Sequence, residues 1–382
     1  MNIPFMILAG ILIVGAYIGV NFYIAKRLYG LISYIFPRAN AKLFAGIYTA
    51  FAIPVIIGLT MPRLAFGYAM RVVGSYWAGI FFYLLMLLLI ADLAILLGRL
   101  SKLIPANTLK KVRFYAGTAV VVLTAAISAY GLINARQFRI AEYEIQLRRP
   151  LEGEPMNIVF ISDLHLGEVH TERWLERLVN NINALNPDVV AIVGDIFNDD
   201  FYKILNPARA EELLRSINAT FGVFACLGNH DAGPTLGSML AFLYRSDITV
   251  LSEDFAVIDD RLILIGRLDP YPSVGDFGDM SRQNLSYILA EVPNNLPIVV
   301  IDHNPINIPE YNEAVDLVLF GHTHRGQMFP INLITRAMYV IHHGHLPQTE
   351  TTPHVIVTQG VHTWLMPMRV GTNNEIARVV VR

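Results

Sequence analysis

A single cysteine, Cys226, leaves no partner for an intramolecular disulfide, so a disulfide-stapled secreted fold is excluded, although a location outside the cytoplasm is not. Acid is nearly missing from the first 140 residues. There Asp92 stands alone against 13 lysines and arginines, a net charge of +12, and histidine is absent altogether. The rest of the chain carries all 11 histidines and a net charge of −14. No G-x-S-x-G elbow, Walker loop or H-E-x-x-H segment occurs, so serine hydrolase, nucleoside triphosphatase and zinc peptidase readings have no motif to rest on. Internal repeats and low-complexity tracts are missing too. What remains is a 382-residue chain, 54% hydrophobic and 16% charged, neither disordered nor fibrous, with one lipid-soluble half and one acidic, enzyme-like half.

The hydrocarbon core of a bilayer is about 30 Å thick, and a helix rises about 1.5 Å per residue, so about 20 apolar residues span it. Four stretches qualify: Ile3–Ile24, Leu43–Leu59, Tyr76–Leu97 and Val112–Ile133, with Arg113 at the edge of the last. The first reads as a retained span rather than a signal peptide, because no basic residue precedes it and no small-residue cleavage site comes before Lys26 and Arg27. Pro54 kinks the second span, which neighbouring helices accommodate in a bundle. Asp92 sits one turn from the end of the third, where water or Arg99 can satisfy it; a lone interfacial carboxylate gives a transport pathway little support.

Lysine and arginine are retained on the cytoplasmic side during insertion. Lys26, Arg27, Arg38 and Lys42 fall between spans one and two, and Arg99, Lys102, Lys110 and Lys111 between spans three and four, against only Arg63 and Arg71 between spans two and three. The bias puts both basic loops in the cytoplasm and everything after Ile133 outside it, in an inner (plasma) membrane. Arg136, Arg139, Arg148 and Arg149 weaken that bias.

After Glu142 the pattern becomes short apolar runs separated by helical stretches. Strands are expected at Asn157–Ser162, Asp188–Val193, Phe221–Leu227, Leu262–Ile265, Pro297–Ile301 and Val315–Phe320, and helices at Glu172–Ala184, Arg209–Asn218, Leu236–Tyr244 and Arg282–Glu291. Further strands are expected at Met338–Ile341, His354–Thr358 and Ile376–Val381, suggesting a second sheet packed on the first. The domain organisation that follows is a transmembrane unit over 1–134, a linker over 135–150 and a catalytic unit over 151–382.

Five strand exits share one feature. Asp163 and His165 follow the first strand, Gly194-Asp195 the second, Gly228-Asn229-His230-Asp231 the third, Asp302-His303 a fourth, and Gly321-His322-Thr323-His324 a fifth. Functional groups in open α/β sheets gather where loops leave the carboxyl ends of strands, so these residues should meet in one crevice. Any one buried Asp or His is more often structural than a ligand; five sets in register at strand ends are not. Imidazole, carboxylate and amide oxygen without thiolate suit borderline or harder divalent ions such as zinc, manganese or iron. The set is too large for one ion, and two bridged by a carboxylate would suit in-line displacement at phosphorus. Gly194, Gly228 and Gly321 precede ligand types where a side chain would block a tight turn.

This order of motifs resembles the calcineurin-like metallophosphoesterase superfamily over about residues 155–382, and the segments GHTHRGQ (Gly321–Gln327) and WLMPMRVGTNNEI (Trp364–Ile376), with the membrane anchor, resemble its YkuE-like branch and transmembrane relatives. The resemblance implies a four-layer α/β sandwich of two mixed sheets joined to a four-helix membrane bundle. It implies two divalent ions, one held by Asp163, His165 and His324, the other by Asn229, His303 and His322, with Asp195 bridging. It also implies His230 as the catalytic histidine and Asp231 as the acid that orients it. The reaction implied is attack of metal-activated hydroxide on a phosphodiester or phosphomonoester. Two departures stand out. The family's further acid three residues after Gly-Asp is replaced here by Asn198, followed by Asp199 and Asp200, and Arg325 stands where the branch has glycine, which makes it a candidate phosphate binder.

The histidines of the HHGH tract, His342, His343 and His345, are expected at the rim, and His170, His354 and His362 have no expected role. The acidic balance disfavours nucleic acid, whose binding depends on basic surface. Confinement to a bilayer favours a phospholipid, lipid-linked or cell-envelope substrate, with Leu268–Met280 and Met328–Met338 able to line a lipid-facing lip or to act as ordinary cover loops. Two readings from other classes stay open: a transporter or sensor bundle regulated by a phosphoesterase domain, and a metal-stabilised scaffold for a partner.

Overall fold

A computed structural model describes every residue except 1–2, 61–64, 168, 170 and 294, so Arg63 and His170 lie outside the described residues. The chain divides into two compact units, Met1–Gly131 with Leu365–Pro367 and Leu132–Trp364 with Met368–Arg382.

The first unit consists of α1 (Ile3–Ile35), α2 (Ala41–Thr60), α3 (Ala65–Leu100) and α4 (Leu109–Asn134), four helices long and apolar enough to cross a membrane. They run beyond the stretches read from hydropathy, so Lys26 and Arg27 belong to α1 rather than to a loop. Most apolar side chains point outward, as lipid-facing helices require, while Ile24, Tyr48, Ala52, Trp77, Leu84, Leu88 and Val120 form an inner core. Gly74 lets α3 approach α2 beside Pro54, since a Cβ there would stand 3.1 Å from the Val55 backbone. Asp92 takes partners other than Arg99. The guanidinium of Arg27 pairs with one carboxylate oxygen, and the Tyr23 hydroxyl donates to the other at 2.7 Å.

The second unit holds two six-stranded mixed sheets. The first is ordered β1 (Phe138–Ile145), β12 (Asn374–Val381), β2 (Met156–Ile161), β3 (Val189–Val193), β4 (Val223–Cys226) and β5 (Ile248–Val250). The second is ordered β10 (Gly344–Leu346), β11 (His354–Val357), β9 (Leu317–Phe320), β8 (Ile298–Ile301), β7 (Leu262–Gly266) and β6 (Asp254–Ile258). Side chains of both sheets, among them Phe160, Ala191, Leu264, Val299 and Leu319, fill the layer between them. Against the outer face of the first sheet pack α5 (Glu172–Ala184), α6 (Pro207–Arg215) and α7 (Leu236–Arg245), and against that of the second α8 (Leu285–Glu291). The four-layer sandwich expected from the sequence is therefore present.

Two expectations are corrected. The segment taken as a linker contains β1, which runs parallel to β12 through eight residue pairs from Phe138–Asn374 to Ile145–Val381, and the division between units falls near Leu132. The strand expected at Met338–Ile341 is absent; residues Ile331–Met338 form a helix, α9, and the edge strand β10 comes later. The short strands β5 and β6 were not anticipated, because three and five residues of mixed burial leave little pattern to read.

Candidate metal centre

The strands β2, β3, β4, β8 and β9 end at one crevice, and the backbone there is bent where side chains are needed. Asp163, His165, Asp195, Asp199, His322 and His324 all have φ between 45° and 67°. Asp and His are among the non-glycine residues that tolerate this region best, yet each left-handed residue still costs on the order of 1–3 kcal/mol. Strain gathered in the loops after β2, β3 and β9 points to a site. Close approach adds to it: a Cβ on Gly228 would lie 2.3 Å from an Asp195 oxygen, and one on Gly194, itself at φ 71°, would lie 2.6 Å from His303 Nδ1.

Two groups of donors result, Asp163 with His165 and His324, and Asp195 with His303 and His322, each with its ligand atoms within 4.8 Å of one another. In the first, His165 Nε2 and His324 Nε2 are 3.1 Å apart and Asp163 Oδ1 is 3.3 Å from His324 Nε2. In the second, His322 Nδ1 lies 3.3 Å from His303 Nε2 and 2.9 Å from Asn229 Oδ1. Asp195 Oδ2 stands between the groups, 3.0 Å from His303 Nε2 and 3.8 Å from His165 Nε2. His303 is turned by its Nδ1, which meets the Val193 carbonyl at 2.9 Å.

These residues fit divalent ions. Asp163 Oδ1 is buried and has no hydrogen-bond partner, an arrangement that costs free energy unless a cation supplies the missing interaction. Burial drives His165 and His324 well below the usual imidazole range, and burial with the charge of His303 brings His322 down to about 4. All three are thereby kept neutral, the form that ligates metal. Burial opposes charge on both Asp195 and His303, but their mutual attraction prevails, lowering the carboxyl and raising the imidazole well away from their ordinary values.

His230 departs from the expected pairing. Its Nδ1 lies 2.5 Å from Asp199 Oδ1, and its backbone N–H donates to Asp195 Oδ1 at 2.9 Å. Asp231 instead accepts the backbone N–H groups of Phe197 and Gly228, each at 2.8 Å, and braces the loops that carry Asp195 and Asn229. The acid beside the histidine is thus the one four residues beyond Asp195, reached through the left-handed turn at Asp199. Burial works against the charged imidazole, yet the Asp199 hydrogen bond raises His230 above its ordinary value.

Other residues fall into place around this centre. Asp302 is occupied by Arg282, Asn307 and the Tyr311 hydroxyl, a structural network beneath His303. Arg325 is half-buried at φ 52°, and its guanidinium has no hydrogen bond or ion pair among the described residues. The HHGH tract joins neither group: His342 meets Thr335 Oγ1 at 3.0 Å, His343 meets Glu375 Oε2 at 3.0 Å, and His345 meets His354 at 2.9 Å. Arg369 was not singled out by sequence, although its segment was. Fully buried, it donates to the carbonyls of His324, Gln359, Gly360 and His362 and to Asn374 Oδ1, and its Nη2 stands 3.3 Å from His324 Nδ1. Burial lowers its guanidinium to about 10. The ring of Trp364, half exposed, lies 5.8 Å from that of His230.

The calcineurin-like phosphoesterase family profile matches residues 156–326, which contain every donor in the two groups. A transmembrane protein with metallophosphoesterase domain from Danio rerio is 28% identical over 309 residues, 75% of this chain and 68% of that protein. Its counterpart in Bos taurus is 27% identical, and the chain spans 61% of its length. The uncharacterized metallophosphoesterase YkuE of Bacillus subtilis is 30% identical over 238 residues, 57% of this chain and 76% of YkuE. Similarity of that extent, on a fold whose strand ends gather the donors described above, makes this chain a member of the calcineurin-like metallophosphoesterase family, whose enzymes cleave phosphoric esters with divalent metal ions.

Proposed function

We propose that the protein is a membrane-anchored phosphoesterase with two divalent ions, cleaving a phosphodiester or phosphomonoester carried by a lipid or another cell-envelope molecule. The observation that carries this reading is the position of Asp195 Oδ2 between the two donor groups, 3.0 Å from His303 and 3.8 Å from His165. Asp163, His165 and His324 would hold one ion, Asn229, His303 and His322 the other, and Asp195 both; manganese, zinc and iron suit the donors. Bound ions neutralise charge on the phosphoryl group and acidify water.

The chain's own residues do the rest. A water oxygen attacks phosphorus opposite the ester oxygen, the P–O ester bond breaks, and His230 Nε2, free because Nδ1 faces Asp199, gives its proton to the departing oxygen; the proton lost by the attacking water passes to solvent, from which His230 is reprotonated. Asp199 fixes the ring and favours its protonated form. Arg325, unpaired at the crevice, is suited to a non-reacting phosphoryl oxygen. A lipid-borne substrate is favoured by the apolar rim: Trp364 beside His230, and an α9 that buries none of its side chains and leaves Leu333, Ile334 and Met338 more than half exposed. No Asp or Glu occurs from Leu317 to Thr349, so this rim also lacks the acid that dominates the rest of the catalytic half. That balance elsewhere disfavours nucleic acid. The basic loops of the bundle favour a catalytic unit outside the cytoplasm.

The test is hydrolysis by the full chain of bis-p-nitrophenyl phosphate, p-nitrophenyl phosphate and phospholipid vesicles, with manganese, zinc or chelator, beside Asp195→Asn. Metal-dependent cleavage that disappears in Asp195→Asn is expected. A folded, metal-loaded protein inactive on every ester would favour the scaffold reading instead.

A further inference from the structure

Within the helical unit, α1, α3 and α4 border a half-open cavity of about 400 Å³, inside the range of about 300–1,000 Å³ common to small-molecule sites. Four cations line it, Lys26 and Arg27 from α1 and Lys110 and Arg113 from α4. Like charges repel, so four of them around one space are costly without an anion. Almost none is supplied by the protein. Asp92 is the only acid in the first 140 residues, and among the described residues its one ion pair is with Arg27. Among the described residues Lys26, Lys110 and Arg113 pair with no carboxylate, and Arg27 Nε is buried without a hydrogen-bond partner.

The rest of the lining is apolar or small. Phe114 stacks on Tyr34 with ring centroids 4.5 Å apart, joining α4 to α1 beside the space, and Leu31 and Leu88 supply aliphatic wall. Gly30 borders open space, since a Cβ there would meet nothing within 4 Å. Cations around a cavity, with an apolar wall at the end of a membrane bundle, match a phosphate group that carries hydrocarbon. Basic pockets between membrane helices recognise anionic lipid headgroups in this way.

We infer that this cavity is a binding site for a phosphate-bearing anionic headgroup, separate from the dimetal centre and occupied by a phospholipid of the surrounding bilayer. The guanidinium of Arg113, which pairs with no carboxylate among the described residues, suits bidentate contact with phosphate oxygens, and Lys26, Lys110 and Arg27 add charge.

The test uses the full chain, delipidated in detergent, with phosphatidylglycerol, phosphatidylcholine of the same acyl chains, and inorganic phosphate as probes, read by native mass spectrometry. The first molecule of phosphatidylglycerol should bind at least about tenfold more tightly than phosphatidylcholine. The Lys26→Gln/Arg113→Gln pair should erase that preference, while Lys42→Gln/Lys111→Gln, which removes two charges outside the lining, should leave it intact. Gly30→Met keeps every charge and fills the space; it should weaken binding as well, a control against misfolding in the charge variants. Retention of inorganic phosphate that depends on Lys26 and Arg113, with no preference between the two lipids, would retain the phosphate site and assign it to the free anion, overturning the lipid occupant. Equal retention of both lipids without phosphate binding, or an equal loss in the Lys42/Lys111 pair, would overturn the site. The readout needs no turnover, so an inactive enzyme would leave it unaffected.

Discussion

The Nδ1 atom of His230 lies 2.5 Å from Asp199, while Asp231, next to it in sequence, spends both carboxylate oxygens on backbone N–H groups. These two acids should therefore fail differently. Asp199→Asn should lower kcat about 100-fold or more, the range of a lost proton donor, with both metals retained. Asp231→Asn leaves one N–H short of an acceptor and should cost about 1–3 kcal/mol of stability with a smaller direct effect on the chemical step. Metal content, thermal unfolding and kcat measured on both variants separate the two roles; equal kcat losses at unchanged stability would contradict them.

Asp195 is the only carboxylate within 4 Å of histidines from both donor groups, among the described residues. Asp195→Asn should lower the occupancy of both ions and bring hydrolysis to background. Asn229→Ala touches the second group alone through His322 and should lose about one equivalent of metal. Elemental analysis after dialysis checks this, and unchanged stoichiometry in Asp195→Asn would count against a shared carboxylate.

How far the site could be read in advance depended on which residues the chain itself brings together. Asp163, His165, Asp195, His322 and His324 sit within a few residues of strong apolar strands, so the end of each strand fixes their place whatever the loop does. Asp199 could not be ranked above Asp200 or Asp231, because its side chain reaches His230 only through a left-handed turn that spacing does not encode. Arg369 is 45 residues from His324 and meets it through tertiary packing alone. Much of the fold followed the same division. Fully buried runs such as Val189–Val193 announce themselves, whereas β1, with most residues on its outer face accessible, looks like a linker until β12 pairs with it. The run Met338–Ile341 has strand composition, but the turn that ends α9 claims it.

His362 offers a pH test. Burial lowers its imidazole to about 3, so the folded protein keeps it neutral where the unfolded chain, with an ordinary value near 6.5, takes up a proton. Between these values the unfolded state binds more protons, so stability falls as pH drops from 6.5 toward 3 and levels off below, at up to about 1.4 kcal/mol per pH unit for one such group. His362→Gln should flatten part of the slope in urea unfolding measured between pH 7 and 4. An unchanged slope would mean the ring is solvated in the folded state.

The buried guanidinium of Arg369 is a sharper probe of how the first donor group is held. It ties the carbonyl of His324 to those of Gln359, Gly360 and His362, and Gly360 lies so close to Asp163 that a Cβ there would stand 2.8 Å from the Asp163 side chain. One cation thus fixes two of the three donors in that group. The carbonyl of Arg369 in turn accepts from the Asn134 side chain at 3.1 Å, a further bond within the same unit. Arg369→Met keeps much of the volume but takes a buried donor from the Gln359 carbonyl and from Asn374 Oδ1, which costs at least about 1–3 kcal/mol and should lower the melting temperature by several degrees. Arg369→Lys keeps the charge without the planar fork and should recover only part of the loss. Metal titration discriminates a specific role from general loosening: the ion at Asp163, His165 and His324 should bind more weakly in both variants, while the ion at His303 and His322 keeps its affinity. Equal weakening at both groups would reduce Arg369 to ordinary core packing.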